Sequence, residues 1–302
     1  MTMLSQSRLS WPRLRALHWC GLSFLGYASA SLSWAAEPNW EALLWLWLLV
    51  GFFAVGWILR DLYWLYISLM LYMTANVLAA ITQYLEWDWV SFATQYPAGL
   101  LINSGFLACA LAMIMVAALC LYHYWFLPIG ALGIYLTHNR GAIIALGTAG
   151  LLYLWPRAKV TAFTVGVLAI VLAIELSSGR SDSLAQRMGI WQGSMGNLSL
   201  FGSGLGSFGD IYMALPVKIN MTLMATEHAY NDFLEILLEL GVGAIPFFWM
   251  CILAMETSLE TERLVLVSYI VLALTYFPLF TPITGPLVAI VIGHISKGDY
   301  HG

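Results

Sequence analysis

Charge is the first thing this sequence lacks. Of its 302 residues, 12 are Lys or Arg and 16 are Asp or Glu, 9% in all, where soluble domains carry about 25%. With 61% of the chain hydrophobic and a mean hydropathy of +0.81, the polar groups are too few to cover a soluble fold of this length. Cysteine is scarce too. Cys20, Cys109, Cys120 and Cys251 all fall inside apolar runs, which argues against a disulfide framework and leaves them as small core or lipid-facing residues. No internal repeat, low-complexity tract or linker divides the chain, so 1–302 reads as one domain. Nucleic acid is not an expected partner.

What the sequence has instead is apolar runs near the 20 residues needed to span roughly 30 Å of hydrocarbon. Ten candidate spans lie near 16–36, 41–59, 62–84, 98–122, 124–138, 141–155, 160–176, 231–255, 264–280 and 282–296. The expected fold is therefore all-α, a polytopic transmembrane bundle. The basic start (Arg8, Arg13, Arg15) precedes an apolar run without a convincing cleavage site and reads as a retained first span. The fifth and sixth spans are short and meet at Thr137-His138-Asn139-Arg140-Gly141.

Lys and Arg in the short loops set the orientation. With both termini on the cytoplasmic side, Arg8, Arg13, Arg15, Arg60, Arg157, Lys159, Arg263 and Lys297 all face the cytoplasm. The remaining basic residues, Arg140, Arg180, Arg187 and Lys218, lie on the far side, and residues that break the bias need a local reason. Arg140 is at the tip of the short hairpin; the others belong to the one long loop, 177–230. That loop carries Trp191, Phe201, Phe208 and Tyr212 and is too apolar to hang free in water. Within it, SLAQRMGIWQGSMG (183–196) places Leu184, Met188 and Trp191 along one helical side with Arg187 near them, as an interfacial helix would.

Four groups of residues are candidates for chemistry. Arg140, at the outer end of a span pair, offers a planar fork of donors suited to phosphate oxygens, though an arginine there also snorkels to the interface or caps a helix. Arg180 and Arg187, seven residues apart, share a helical face and suit either a diphosphate clamp or anionic headgroups. Gly202-Ser203-Gly204-Leu205-Gly206 reads as a structural turn, because no P-loop lysine and no strand–turn–helix unit accompany it. Finally, a helix starting at His228 would align His228, Asp232, Glu235 and Glu239, with Asp232 placed to orient the imidazole as a general base. Glu235 and Glu239 enter an apolar span, where ionisable groups usually face a cavity or a partner. No second His or Cys stands at ligand spacing, so no metal is expected. His138 shares the hairpin with Arg140 and is a second candidate base.

Three of these stretches, in this order, resemble the O-antigen ligase and polymerase superfamily of bacterial inner membranes. LTHNRGAIIALGTAGLLYL (136–154) looks like that family's Thr-x-Ser-Arg-Gly span opening, with Asn139 in place of Ser. SLAQRMGIWQGSMGNLSLFGSGLGSF (183–208) is similar to its Arg-x-x-x-Trp block and Gly-x-Gly-x-Phe turn. EHAYNDFLEILLELGVGAIPF (227–247) is close to its His-Asn entry to a span, except that Tyr230 stands where many members have His and His228 comes two residues earlier. The likeness covers about residues 125–295.

The resemblance implies a type-C glycosyltransferase-like bundle in the bacterial inner membrane, with its site on the periplasmic side. It implies an undecaprenyl diphosphate-linked glycan as donor, with lipid A core, another lipid-linked glycan or a protein as acceptor, and no cofactor or metal. These acceptors correspond to O-antigen ligation, polymerisation and protein O-oligosaccharyl transfer. Carried over by position, Arg140 and Arg187 would hold the diphosphate and His228 would be the base, with Tyr230 left open as its replacement. Arg180, Trp191, Asn231 and Asp232 complete the substrate-binding candidates. The alternative of another class, an anion or solute transporter, predicts polar residues through several spans; beyond Glu175, Glu235 and Glu239 there are few.

Overall fold

The structure, a computed structural model, describes residues 11–87, 96–175, 181–214 and 227–297. Among these residues all regular structure is helical. The first seven helices are α1 (Trp11–Ser31), α2 (Trp40–Ile58), α3 (Tyr63–Tyr84), α4 (Ser104–Cys120), α5 (Phe126–Thr137), α6 (Arg140–Leu154) and α7 (Lys159–Glu175). After them come α8 (Ser181–Met195), α9 (Phe208–Met213), α10 (Asp232–Leu240), α11 (Ile245–Thr257), α12 (Glu260–Ala273) and α13 (Thr284–Ser296).

The core forms around α4. That helix has no polar face, and Leu107 through Ala118 are buried without a break. A helix that is apolar all round belongs inside, and its alanines let α3, α5, α6 and α12 pack closely on it. Beside this core, α2 lies along α13 with backbones almost touching. A Cβ on Gly56 would fall 2.0 Å from the Ile290 carbonyl oxygen, and one on Gly293 2.1 Å from that of Phe53. The two glycines notch opposite helices, so any side chain at either would force them apart.

By length and composition, α2, α3 and the continuous run Asp232–Thr257 are apolar and long enough to cross a membrane. The last of these joins α10 to α11 through a 3-10 turn at Gly241–Ala244. Helices α4, α5, α6 and α13 are apolar but shorter, at 17, 12, 15 and 13 residues. At 1.5 Å per residue they reach about 18–26 Å, short of a ~30 Å hydrocarbon layer. Among the described residues, three of the ten expected spans are therefore both long enough and apolar enough on their own. The outer surface is nevertheless apolar: Val160 and Phe163 of α7 are 82% and 66% exposed, Leu44 of α2 69%.

One expected span is cut short. Where 264–280 reads as a single run, α12 stops at Ala273, and a 3-10 turn at Pro278–Phe280 follows. Pro278 forces this, since the residue before a proline is pushed out of the helical region, and Phe277 is indeed at φ −124° and ψ 59°. The freed segment 274–280 becomes a wall of the candidate site.

Helices α5 and α6 turn back at His138–Asn139, so Arg140 opens α6 at one end of the bundle and Arg157 follows it at the other. The α1–α2 turn is at the Arg140 end: Ser31 Oγ accepts from Leu205 N (2.9 Å) and Asn39 Nδ2 donates to Gly206 O (3.1 Å).

Candidate functional site

The site is assembled where α10 begins. Asn231 caps the helix, its side-chain oxygen accepting from Leu234 N (3.0 Å). The helix thus starts at Asp232, four residues later than a start at His228 would require, and His228 lies in the preceding turn. The stripe of acids on α10 survives the shift, but each carboxylate grips a different piece of chain. Asp232 accepts from Leu279 N (3.0 Å) and Tyr269 OH (3.3 Å). Glu235 accepts from Ala229 N (2.7 Å) and meets His228 Nδ1 at 2.8 Å. Glu239 accepts from Phe208 N (3.0 Å). The expected Asp232–His228 pair is therefore replaced by Glu235–His228, and Asp232, fully buried, organises the 274–280 wall instead.

Glu235 is 2% exposed, His228 26% by its side chain. A carboxylate at Nδ1 fixes that nitrogen as the donor and leaves Nε2 as the basic one. The imidazole stacks on Phe277 (centroids 4.3 Å apart) and on Phe280 (4.9 Å), so its plane as well as its tautomer is set. Geometry of this kind suits a general base.

Arg187 approaches from α8. Its Nη1 donates to Thr275 O at 2.6 Å, and its guanidinium lies 5.1 Å from the centre of the Tyr230 ring. Tyr230 adopts a left-handed backbone, φ +54°, uncommon for a bulky side chain. Its ring also packs edge-on against Phe277 (5.4 Å), which links Arg187 through Tyr230 and Phe277 to His228. Among the described residues Arg187 has no carboxylate partner. Burial holds its guanidinium below the ordinary value; the nearby Arg140 charge pushes the same way, against Tyr230 and Tyr276. Two arginines that repel each other inside one partly dry site favour an anion between them.

Arg140 opens α6, with Asn139 as cap (Ala142 N to Oδ1, 3.0 Å) and His138 in left-handed conformation before it. The α6 N-terminus abuts the same wall, since a Cβ on Gly141 would lie 2.9 Å from Thr275 Oγ1. Asn231 Nδ2 reaches the wall as well, donating to Leu274 O (3.3 Å). Arg140 therefore stands at the positive end of the α6 dipole, and both favour an anion.

The other expected residues divide. Trp191 Nε1 donates to Ala229 O (2.7 Å), tying α8 to the turn that carries His228. The buried side of α8 runs through Arg187, Ile190, Trp191 and Ser194; Met188 is 47% exposed, so the expected Met188 stripe is displaced by one residue. Arg180, Lys218 and the side chain of Leu184 lie outside the described residues. The glycine turn is structural: Gly202 (φ +73°) and Gly241 (φ +53°) permit strand-like bonds from Gly204 N to Glu239 O (2.8 Å) and from Val242 N to Leu200 O (2.9 Å). A Cβ on Gly202 would sit 2.1 Å from Glu239 O. Among the described residues, no group of three His, Cys, Asp or Glu side chains is gathered as a metal ion would need.

Glu235, Thr275, Phe277 and Phe280 were not singled out as partners by sequence. Asn231-Asp232 before an apolar run is an N-cap signal, and reading it would have put the helix start, and hence Glu235, in the right place. Nothing in the sequence marks the Leu274–Thr275 carbonyls. The chain matches no protein-family model and no curated protein.

Proposed function

We propose that this chain is a multi-pass protein of a bacterial inner membrane that transfers a glycan from an undecaprenyl diphosphate carrier to an acceptor hydroxyl on the periplasmic side. The carrying observation is the convergence on one wall, 274–280, of Arg187, the α6 N-terminus that carries Arg140, and a histidine held by a buried carboxylate. The apolar exterior and the three long apolar helices support residence in lipid.

In this reading Arg187 and Arg140 hold the diphosphate and neutralise the charge it gains on leaving. The acceptor oxygen forms a bond to the anomeric carbon as the bond from that carbon to the phosphate oxygen breaks. The carrier diphosphate departs with the electron pair, and the acceptor proton passes to His228 Nε2. Glu235 stabilises the resulting imidazolium; it is a positioning residue and does not touch the substrate. Tyr230 holds Arg187 by its ring face.

The test is glycan transfer by the purified full chain in lipid. Arg187→Ala and Arg140→Ala should each abolish transfer while the protein stays at its normal level in the membrane. Full activity in both variants would end the diphosphate assignment.

A further inference from the structure

A well-formed cavity lies away from the arginines. A pocket of about 270 Å³ opens between α1, α2, α11 and α13, and its lining is apolar apart from His18 at one end and Glu239 at the other. Glu239 is already engaged, accepting from Phe208 N. Along α2 the pocket runs from Ala42 to Phe53, eleven residues on, or about 16 Å at helical rise, close to one leaflet of a ~30 Å hydrocarbon layer. Leu279 and Phe280 also line it, and Phe280 is one of the two rings that stack on His228. The other ring, Phe277, carries the contact toward Tyr230 and Arg187. The pocket and the arginines thus approach the imidazole through different rings.

We propose that this pocket seats an acyl chain of the acceptor, which makes the acceptor a membrane glycolipid and not a protein. The assignment to the acceptor rests on the transfer reading above. If the diphosphate sits at Arg187 and Arg140, hydrocarbon lodged behind Phe280 belongs to the molecule that presents its hydroxyl to His228. A one-leaflet pocket also suits an acyl chain better than a polyprenyl carrier, whose chain is longer than one leaflet is thick.

Helix α1 supplies a matched pair of variants. Gly21 lines the pocket, and a Cβ there would meet only Met250 Sδ at 3.8 Å. Gly26, on the same helix, is exposed with nothing within 4 Å. Both changes replace glycine inside a helix, so neither should unfold it.

The experiment uses the full chain in nanodiscs with two photoreactive probes, an acylated glycolipid with a diazirine in its acyl chain and a polyprenyl diphosphate with a diazirine in its isoprenoid chain. The acyl probe should label around Leu46 and Leu49, be displaced by excess unlabelled glycolipid, and lose at least about tenfold of that labelling in Gly21→Phe but not in Gly26→Phe. Preferential labelling of these residues by the polyprenyl probe would overturn the proposal, as would undisplaceable acyl labelling spread over lipid-facing helices such as α7. Transfer assays separate the two readings. Specific acyl labelling in a chain that transfers no glycan would keep the pocket as a lipid site and remove the catalytic reading. Transfer to a deacylated acceptor, unchanged by Gly21→Phe, would keep the catalytic reading and remove the pocket's role.

Discussion

Helix α6 has an arginine at each end, and the two are held in different ways. At its C-terminal end Arg157 donates to both carboxylate oxygens of Glu260, at 2.8 Å each, and to Tyr153 O at 2.6 Å. At the N-terminal end, about 22 Å away along the helix, the Arg140 charge is felt by Arg187, which rests on a carbonyl and an aromatic ring without a carboxylate among the described residues. Arg157 is a closed ion pair in contact with water, and its bond to Glu260 raises it above its ordinary value. At the far end burial and the Arg140 charge both push the Arg187 guanidinium down, which an anion bound there would relieve. An arginine with its own acid is structure; a buried arginine such as Arg187, resting on a carbonyl and a ring, marks a binding place.

The same truncation at both ends breaks this comparison most sharply. Arg187→Ala should lower glycan transfer at least about a hundredfold, the scale for losing a desolvated charge contact. Arg157→Ala should leave transfer within about twofold. Similar losses at both ends would erase the distinction. Next in size, His228→Ala should lower the rate about 10²- to 10⁴-fold. His228→Ala combined with Glu235→Gln should be no worse than His228→Ala alone, because Glu235 acts through the imidazole; additive losses would give Glu235 a separate role.

Stability variants extend the contrast. Gly202→Ala forces a Cβ into the Glu239 carbonyl at positive φ, and should cost about 1–3 kcal/mol. Gly209→Ala, with nothing within 4 Å, should cost nothing measurable by thermal unfolding in detergent. The smallest effect belongs to the closed ion pair. Its side chains are 38% and 51% exposed, so Arg157→Ala should destabilise by less than about 1 kcal/mol, less still at high salt.

Much of the architecture is legible in the sequence because hydrophobic runs report burial directly. The all-helical class, the α5–α6 hairpin tip at Arg140 and the run from Asp232 are all visible there. Helix starts are less so, as His228 shows: the acidic stripe has a helical period, but Asn231 takes the cap and leaves the histidine outside, with Glu235 as its partner. Pro278 signals that a span near 264–280 is interrupted, and the interruption forms the wall that gathers the site. The buried face of α8 is set by Thr275 O and Ala229 O, backbone atoms that no side-chain pattern reveals, which is why its face is shifted by one residue.

The central claim is that Arg140 and Arg187 wait for a diphosphate. It is tested most directly by calorimetric titration of the full chain in nanodiscs with a short-chain polyprenyl diphosphate and with the matching polyprenyl alcohol. The account predicts saturable binding of the diphosphate, lost in Arg187→Ala and retained in Arg157→Ala, with no such binding of the alcohol. Equal binding of both compounds, or diphosphate binding untouched by Arg187→Ala, would contradict it.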